Sequence, residues 1–169
     1  MLLLSCEPDM ESIKALVDRE NTPGIIAKKN EIIYTENGIP RLKLIAPVTK
    51  SFQFAPEPYT EFPEGIQLFT FSDGKSVESF LTAKYAVYYD KKKIWEARHN
   101  VVAMNKKGEI LNTERLFWDE QKKIVYSNDF VKFTSVDGVI FGEGFEADEL
   151  LENVEIKNSS GTIFVADKD

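Results

Sequence analysis

The sequence is poor in the residues that form cross-links and metal sites. Its 169 residues include one cysteine, Cys6, and one histidine, His99. A single cysteine excludes an intrachain disulfide, and so few thiol and imidazole groups exclude a zinc site of the cysteine–histidine type. No apolar run approaches the length that a membrane-spanning helix requires. The sequence therefore predicts a fold held by a hydrophobic core, and we expect neither a metal nor a cofactor.

Positive charge is also scarce. The chain carries 21 Lys and Arg residues against 28 Asp and Glu residues, which gives a net charge of −7. Proteins that bind nucleic acid usually present a basic patch or stripe, and none is evident in this sequence. We therefore expect no nucleic-acid partner.

The first residues are similar to the end of a bacterial lipoprotein signal. Leu2–Ser5 are apolar or small and precede Cys6, but a complete signal also needs a basic region and a longer apolar stretch. This pattern leaves open both lipidation of Cys6 and an unmodified thiol on a loose terminus. Residues 9–19 have apolar positions at helical spacing and end before a Pro-Gly pair. We therefore divide the chain into an N-terminal anchor remnant and linker, residues 1–22, and a body, residues 23–169.

From about residue 25 onward the sequence is typical of β-structure. Short runs rich in Val, Ile, Phe, Tyr and Thr alternate with clusters of turn-forming residues. The spacing of these clusters predicts strands of roughly ten residues that are joined as hairpins. The predicted turns are Asn37–Gly38, Ser72–Gly74, Asp90–Lys93, Asn105–Gly108, Asp119–Lys123, Asp137–Gly138 and Asn158–Gly161.

The body contains an internal repeat with a period of 30 residues. One unit is two strands and two turns, so neighbouring units can share one continuous core. An even period preserves strand parity, which means that aligned residues face the same side of a sheet. The aligned pairs include Leu81 with Leu111, Tyr88 with Trp118, Ile94 with Ile124, Val101 with Val131 and Gly108 with Gly138.

Strand parity predicts which side chains point inward. Along Val77–Tyr89 the odd positions are mostly apolar, whereas the even positions include Glu78, Thr82 and Lys84. The repeat transfers this parity to the following strands. The strand at Ile66–Phe71 is compatible with either face, and we prefer its odd residues inward. The predicted interior stripe is Phe69, Phe71, Leu81, Ala83, Leu111, Phe117, Val131 and Phe133.

No group of residues points to catalysis, so we do not expect an enzyme. His99 lies among polar residues near a predicted strand start, a position more typical of a surface histidine than of a catalytic base. The carboxylates within residues 143–149 match neither a calcium-binding loop nor a defensible glycosidase pattern. They are typical of a solvated turn.

A resemblance to a known family emerges from the order and spacing of several short segments. The stretch Leu81–Asp148, together with Glu57–Ile66 upstream, resembles the LptC family of lipopolysaccharide export, in particular its Bacteroidetes members. Each segment is weak alone, and the resemblance covers nearly the whole body. The segments that carry it within Leu81–Asp148 are Leu81–Ala83, Asn100–Val102, Gly108, Leu111–Thr113, Gly142–Phe145 and Ala147.

The resemblance implies a fold, a ligand and partners. The fold is an all-β, open and twisted antiparallel jelly roll of the OstA-like or LptC-like type, preceded by a short helix or linker. The expected ligand is lipopolysaccharide, whose acyl chains would contact the predicted interior stripe. An LptF-like jelly roll of the inner-membrane ABC transporter would pair with the N-terminal edge, and an LptA-like periplasmic protein with the C-terminal edge. The expected location is the periplasm, anchored to the inner membrane through lipidated Cys6.

Two other interpretations stay open on the sequence. The same fold could serve as a soluble, LptA-like relay unit without an anchor. A secreted carbohydrate-binding or structural β module would instead use Trp95 or Trp118 to stack on sugars. An apolar stripe does not distinguish these interpretations, because a lipid groove and an ordinary sandwich core need the same residues.

Overall fold

The computed structural model describes residues 19–163, and this part of the chain is almost entirely β-structure. Residues 19–21 are helical, and the first strand begins at Ile25; the rest of the predicted N-terminal helix and Cys6 lie outside the described residues. The strands are β1 (Ile25–Glu36), β2 (Ile39–Phe52), β3 (Tyr59–Phe62), β4 (Ile66–Phe71), β5 (Val77–Ala83), β6 (Tyr85–Tyr89), β7 (Ile94–Met104), β8 (Ile110–Asp119), β9 (Ile124–Ser135), β10 (Gly138–Asp148), β11 (Glu155–Ile156) and β12 (Ser160–Ile163).

The predicted turn clusters fall between consecutive strands. Asn37 and Gly38 join β1 to β2 and both have positive φ, 52° and 78°, as a tight two-residue hairpin requires. The period of 30 residues also recurs in the backbone. Lys93 at the end of the β6–β7 turn has φ 55°, and Lys123 at the end of the β8–β9 turn has φ 56°. Aligned positions of the repeat therefore adopt the same local conformation.

All twelve strands pair antiparallel in a large sheet that divides into two branches. The first half of β2 pairs with β4 and its last residues pair with β3. Likewise, the first half of β7 pairs with β6 and its last residues pair with β5. One branch therefore contains β4 and β5, and the other contains β3 and β6. The all-β antiparallel jelly roll expected from the sequence is confirmed.

A row of β-bulges lies where the long strands pass from one branch to the other. The ladder register shifts between Arg98 and Val101 on β7, between Thr113 and Phe117 on β8, and between Glu143 and Phe145 on β10. A bulge adds a residue to one strand and bends it. Because the bulges lie side by side, neighbouring strands bend together, and the two branches face each other across an interior.

The hydrophobic core lies between the branches. Phe62 and Ala86 belong to one branch, Ile66 and Ala83 to the other, and all four are buried in the same cluster. Small residues recur in this cluster, and they allow the two branches to approach closely. The remaining buried members are Leu44, Ala46, Ala97, Val101, Ala103, Leu111, Leu116, Val125, Val131, Phe145, Ala147 and Leu151.

Both ends of the sheet present strand edges. Within the described residues, β1 pairs only with β2, and the short strands β11 and β12 pair only with β10. An unpaired edge presents backbone N–H and C=O groups that can bond to another strand. The edge strand β1 is also apolar on its exposed surface. Its exposed large hydrophobic residues are Ile25, Ile26, Ile32, Ile33 and Tyr34.

Candidate functional site

A cavity of about 520 Å³ opens between the two branches. A volume of this size is typical of sites for small ligands. Its wall is largely apolar and combines residues of β1, β2, β4, β5, β7, β8 and β9 with the segment after β10. The main apolar residues of the wall are Leu42, Leu68, Phe71, Phe80, Leu81, Ala103, Leu116, Trp118, Val125 and Leu151.

A smaller void of about 30 Å³ continues this cavity toward the β3–β6 branch. The two spaces share four wall residues, Leu68, Leu81, Leu116 and Trp118. The smaller one also reaches Trp95 on β7. The apolar space therefore extends from the opening into the region where the two branches meet.

Charged groups surround the opening of the cavity. Glu36, Arg41, Glu78 and Glu149 lie on its border. The Arg41 Nε donates to the Glu36 carboxylate at 3.2 Å, and the Arg41 guanidinium also donates to the backbone carbonyl of Ser72. The cavity is thus apolar inside and ionic at its border, which suits a ligand with an apolar part and a polar part.

The segment between β10 and β11, residues 149–154, borders the same cavity. Leu151 belongs to the buried core cluster, although its φ of 58° is unusual for a leucine. Its carbonyl accepts a hydrogen bond from Asn105 Nδ2 at 2.9 Å, and Lys106 Nζ lies 2.6 Å from a Glu152 carboxylate oxygen. The turn between β7 and β8 therefore holds this segment in place.

The two tryptophans stack next to each other inside the molecule. Their ring centroids are 6.5 Å apart, and Trp95 also stacks on Phe62 at 5.7 Å. Trp95 Nε1 donates to Glu120 at 2.9 Å, whereas Trp118 Nε1 is buried without a hydrogen-bond partner. Both rings pack against the core, so neither forms an exposed platform for a sugar.

Behind the cavity wall, the outer face of β6 and β7 carries a compact polar network. The Glu96 carboxylate is buried and accepts two hydrogen bonds from Arg98, both at 2.7 Å, and one from Tyr89. Burial acts to raise the pKa of Glu96, but the Arg98 and Tyr89 interactions together leave this pKa lowered. Burial, aided by a hydrogen bond to Glu61, raises the pKa of Tyr85 to about 12. The network is paired internally; of its members only Glu96 borders the smaller void, and none lines the large cavity.

The predicted interior stripe divides into residues of the closed core and residues of the cavity wall. Leu111, Val131 and Ala83 are buried in the core cluster, and Phe133 packs against it. Leu81 also packs against the core and lines the cavity. A role of these residues in lipid binding stays a prediction.

Phe71 lines the cavity as well, but two other members of the stripe lie elsewhere. Ile66 and Leu68 occupy the core side of β4, so the inward placement predicted for Phe69 is wrong. The reason is the pairing of β4 with β2, where Leu68 lies opposite the buried Leu44.

Phe117 lies on the outer face of β8, which corrects the second inward placement. Leu116 and Trp118 occupy the inner face instead. Between Thr113 and Phe117 three residues of β8 lie opposite four of β9. The alternation of β8 is broken there, because Glu114 and Arg115 are both exposed, and the two faces of the strand are exchanged. Phe117 stacks on Tyr126 with ring centroids 5.1 Å apart.

Several wall residues are not among those that the sequence predicts, namely Leu42, Leu68, Leu116, Val125 and Leu151. For Leu42 a signal exists, since apolar residues alternate along β2, whereas β4 is apolar at both even and odd positions and gives none for Leu68. No comparable signal predicts that Leu116 points inward, because its face depends on a bulge that no glycine marks in the sequence.

The polar residues considered for catalysis or metal binding do not form a site. His99 is exposed, and its Nδ1 lies 4.0 Å from Glu114. Asp148 accepts hydrogen bonds from the backbone N–H groups of Leu150 and Glu152, which explains its place in a turn. Among residues 19–163, no group of three or more His, Cys, Asp or Glu side chains is arranged to hold a metal ion. No helix within this range is long and apolar enough to cross a membrane.

Comparison with known families gives one match. A family model described as "Lipopolysaccharide-assembly, LptC-related" matches residues 2–164 and so covers nearly the whole chain. A search of curated proteins finds no match.

Proposed function

The chain belongs to the LptC-related family of lipopolysaccharide assembly, and on this premise we propose that it is a periplasmic bridge for lipopolysaccharide. Family membership itself implies a role in lipopolysaccharide transport. In the proposed function, the chain receives the lipid from the inner-membrane ABC transporter and passes it to an LptA-like periplasmic protein. The acyl chains lie in the apolar interior, and the sugar part stays in water.

The observation that carries this proposal is the apolar cavity with its ionic border. Leu68, Leu81 and Leu116 form an apolar wall, and the border carries Arg41 among three carboxylates, where the polar part of a lipid can stay in water. Each methylene transferred from water into such a space contributes about 0.8 kcal/mol. A few acyl carbons therefore provide enough affinity for transient binding, and transient binding is what a transport step requires.

The sheet edges support the exchange with partners. In the proposal, β1 adds to the jelly roll of the transporter and the β11–β12 edge adds to the LptA-like protein. Exposed Ile32 and Ile33 give β1 an apolar surface for such a contact. Strand addition at both ends would extend one sheet through three proteins and align their interiors.

Anchoring at the inner membrane through a lipid on Cys6 is part of the proposal. Leu2–Ser5 have the composition that precedes a lipidated cysteine. One lipid-modified residue is a weak anchor when it carries a single chain, and stable attachment takes two signals. Mass spectrometry of the N-terminal peptide, from protein expressed in its own host, tests this point directly.

The test of the proposed function is photo-crosslinking to lipopolysaccharide at two neighbouring positions. One variant carries a photoreactive residue at Leu68, which lines the cavity, and the control carries it at Phe69 on the opposite face of β4. Both variants are first checked by circular dichroism, so that only folded protein is compared. We expect a crosslink at position 68 and a much weaker one at position 69.

The outcome separates the interior path from a surface path. Equal crosslinking at both positions, or crosslinking at 69 alone, would contradict lipid binding between the branches. Absence of a crosslink at either position in folded protein would reject the bridge function in this form.

A further inference from the structure

Trp118 has a polar group that the fold leaves without a partner. Among the buried side-chain nitrogen and oxygen atoms of residues 19–163, only its Nε1 lacks a hydrogen bond. The neighbouring Trp95 differs, because its Nε1 donates to Glu120 at 2.9 Å. A buried donor without an acceptor lowers stability, and native proteins rarely keep one without a reason.

The position of Trp118 suggests that reason. It lines both the large cavity and the smaller void behind it, together with Leu68, Leu81 and Leu116. These three neighbours have apolar side chains and cannot accept a hydrogen bond. The wall next to Trp118 is therefore mainly apolar, and the Trp118 indole N–H, which the protein covers in this structure, is the buried donor without a partner beside that space.

The orientation of this ring is held by its neighbours. Trp118 lies opposite Trp95 on one side and Val125 on the other in the β7–β8–β9 ladder, and it stacks on the Trp95 ring with 17° between the ring planes. A side chain held in this way loses little further freedom when its N–H is bound.

We propose that Trp118 donates its indole N–H to the carbonyl oxygen of an acyl ester on the bound lipid. This assignment rests on the proposed function and names the chemistry that the interior selects. A chain attached through an ester carries an acceptor next to its first methylene groups, so the chain can fill the apolar space while the carbonyl meets Trp118. A ligand without that carbonyl leaves the N–H unpaired, and a site built to hydrogen-bond rejects such analogues.

The first experiment compares two lipids that differ at one group. The probes are tetradecanoyl lysophosphatidylcholine, which has an ester, and its tetradecyl ether analogue, which lacks the carbonyl; both are used below their micelle concentrations. We expect the ester lipid to bind about 10-fold more tightly, as one hydrogen bond to a buried donor provides.

A single-atom substitution at Trp118 provides the matched variant. Benzothienylalanine in place of Trp118 keeps the ring size and replaces the N–H by sulfur, and the same replacement of Trp95 is the control. We expect the ester preference to disappear at 118 and to persist at 95, since the Trp95 N–H already bonds to Glu120.

Nuclear magnetic resonance gives a readout that a purely structural role would not change. The chain has two tryptophans, so two indole N–H signals are expected, and Trp95→Phe assigns them. The ester lipid should shift the Trp118 indole proton downfield, and the ether lipid should shift it less.

The outcomes distinguish this assignment from the proposed function beneath it. Equal binding of the two lipids to the unmodified protein, with an unshifted Trp118 proton, would overturn the assignment and leave the lipid-binding interior intact. Absence of binding by either lipid, together with absence of the lipopolysaccharide crosslink at position 68, would overturn both.

Discussion

The exchange of faces at the β8 bulge can be tested with two neighbouring truncations, Leu116→Ala and Phe117→Ala. Unbroken alternation along β8 would place Phe117 in the core and Leu116 in solvent. The structure has the reverse arrangement, with Leu116 2% exposed and Phe117 on the outer face. The two variants therefore give opposite results under the two arrangements.

The expected loss in the free energy of unfolding follows from the contacts that each truncated side chain gives up. Truncation of a buried leucine to alanine typically costs 2–5 kcal/mol, and the cost rises with the cavity that remains. Because Leu116 already borders open space, part of its surface has no contact to lose, and we expect about 2–3 kcal/mol. Phe117 loses its stacking on Tyr126 and some partial burial, for which we expect about 1 kcal/mol.

Urea unfolding followed by circular dichroism measures both free energies. The slope of the free energy against urea should be equal in the two variants, since neither changes the surface exposed on unfolding by much. A Phe117→Ala variant that is destabilised as much as Leu116→Ala, or more, would refute the face assignment.

Two further predictions concern the backbone and the ionisable side chains. Gly65→Ala should lower the free energy of unfolding clearly more than Gly108→Ala in the same urea assay, because a Cβ at Gly65 would clash with the Ala83 carbonyl oxygen, whereas nothing lies within 4 Å at Gly108. Both glycines have positive φ, so the backbone strain of about 1 kcal/mol is common to the two variants. The pKa of Tyr85 is raised from 10.0 to about 12, so the folded state holds the phenol proton more tightly than the unfolded state does. The stability that this proton contributes is complete below pH 10 and is lost as the pH rises toward 12. Alkaline absorbance titration and unfolding should find this loss in the unmodified protein and a smaller one in Tyr85→Phe.

Local signals in the sequence were sufficient for the hairpins. Turn-forming residues occur at Asn37–Gly38 and at both lysine-rich turns, and the conformation of each turn depends on a few neighbouring residues. The repeat of 30 residues can also be recognised from the sequence, because it is a property of residue order. Leu81 and Leu111 accordingly lie on the side that parity predicts, one at the cavity wall and one in the closed core.

The faces of β4 and β8 depend on distant parts of the chain. The Ile66–Phe71 strand is apolar on both sides, so its sequence is compatible with either face inward, and only pairing with β2 selects Leu68 over Phe69. The inward prediction for Phe117 is wrong because the register shift between β8 and β9 involves ordinary residues, so nothing in the local sequence marks it. The division between cavity and core has the same origin, since the gap between two branches is set by the whole sheet.

The row of bulges limits how the interior can change its width. Strands β7, β8, β9 and β10 run through both branches, so the branches cannot slide past each other without breaking ladder hydrogen bonds. A change in the width of the interior would instead rotate one branch about the row, and part of the torsion would fall on His99, Asn100 and Gly144, all of which have positive φ. Such a rotation would change the clearance between the branches along the whole length of the cavity at once, so that the girth of a ligand would be matched by one angle.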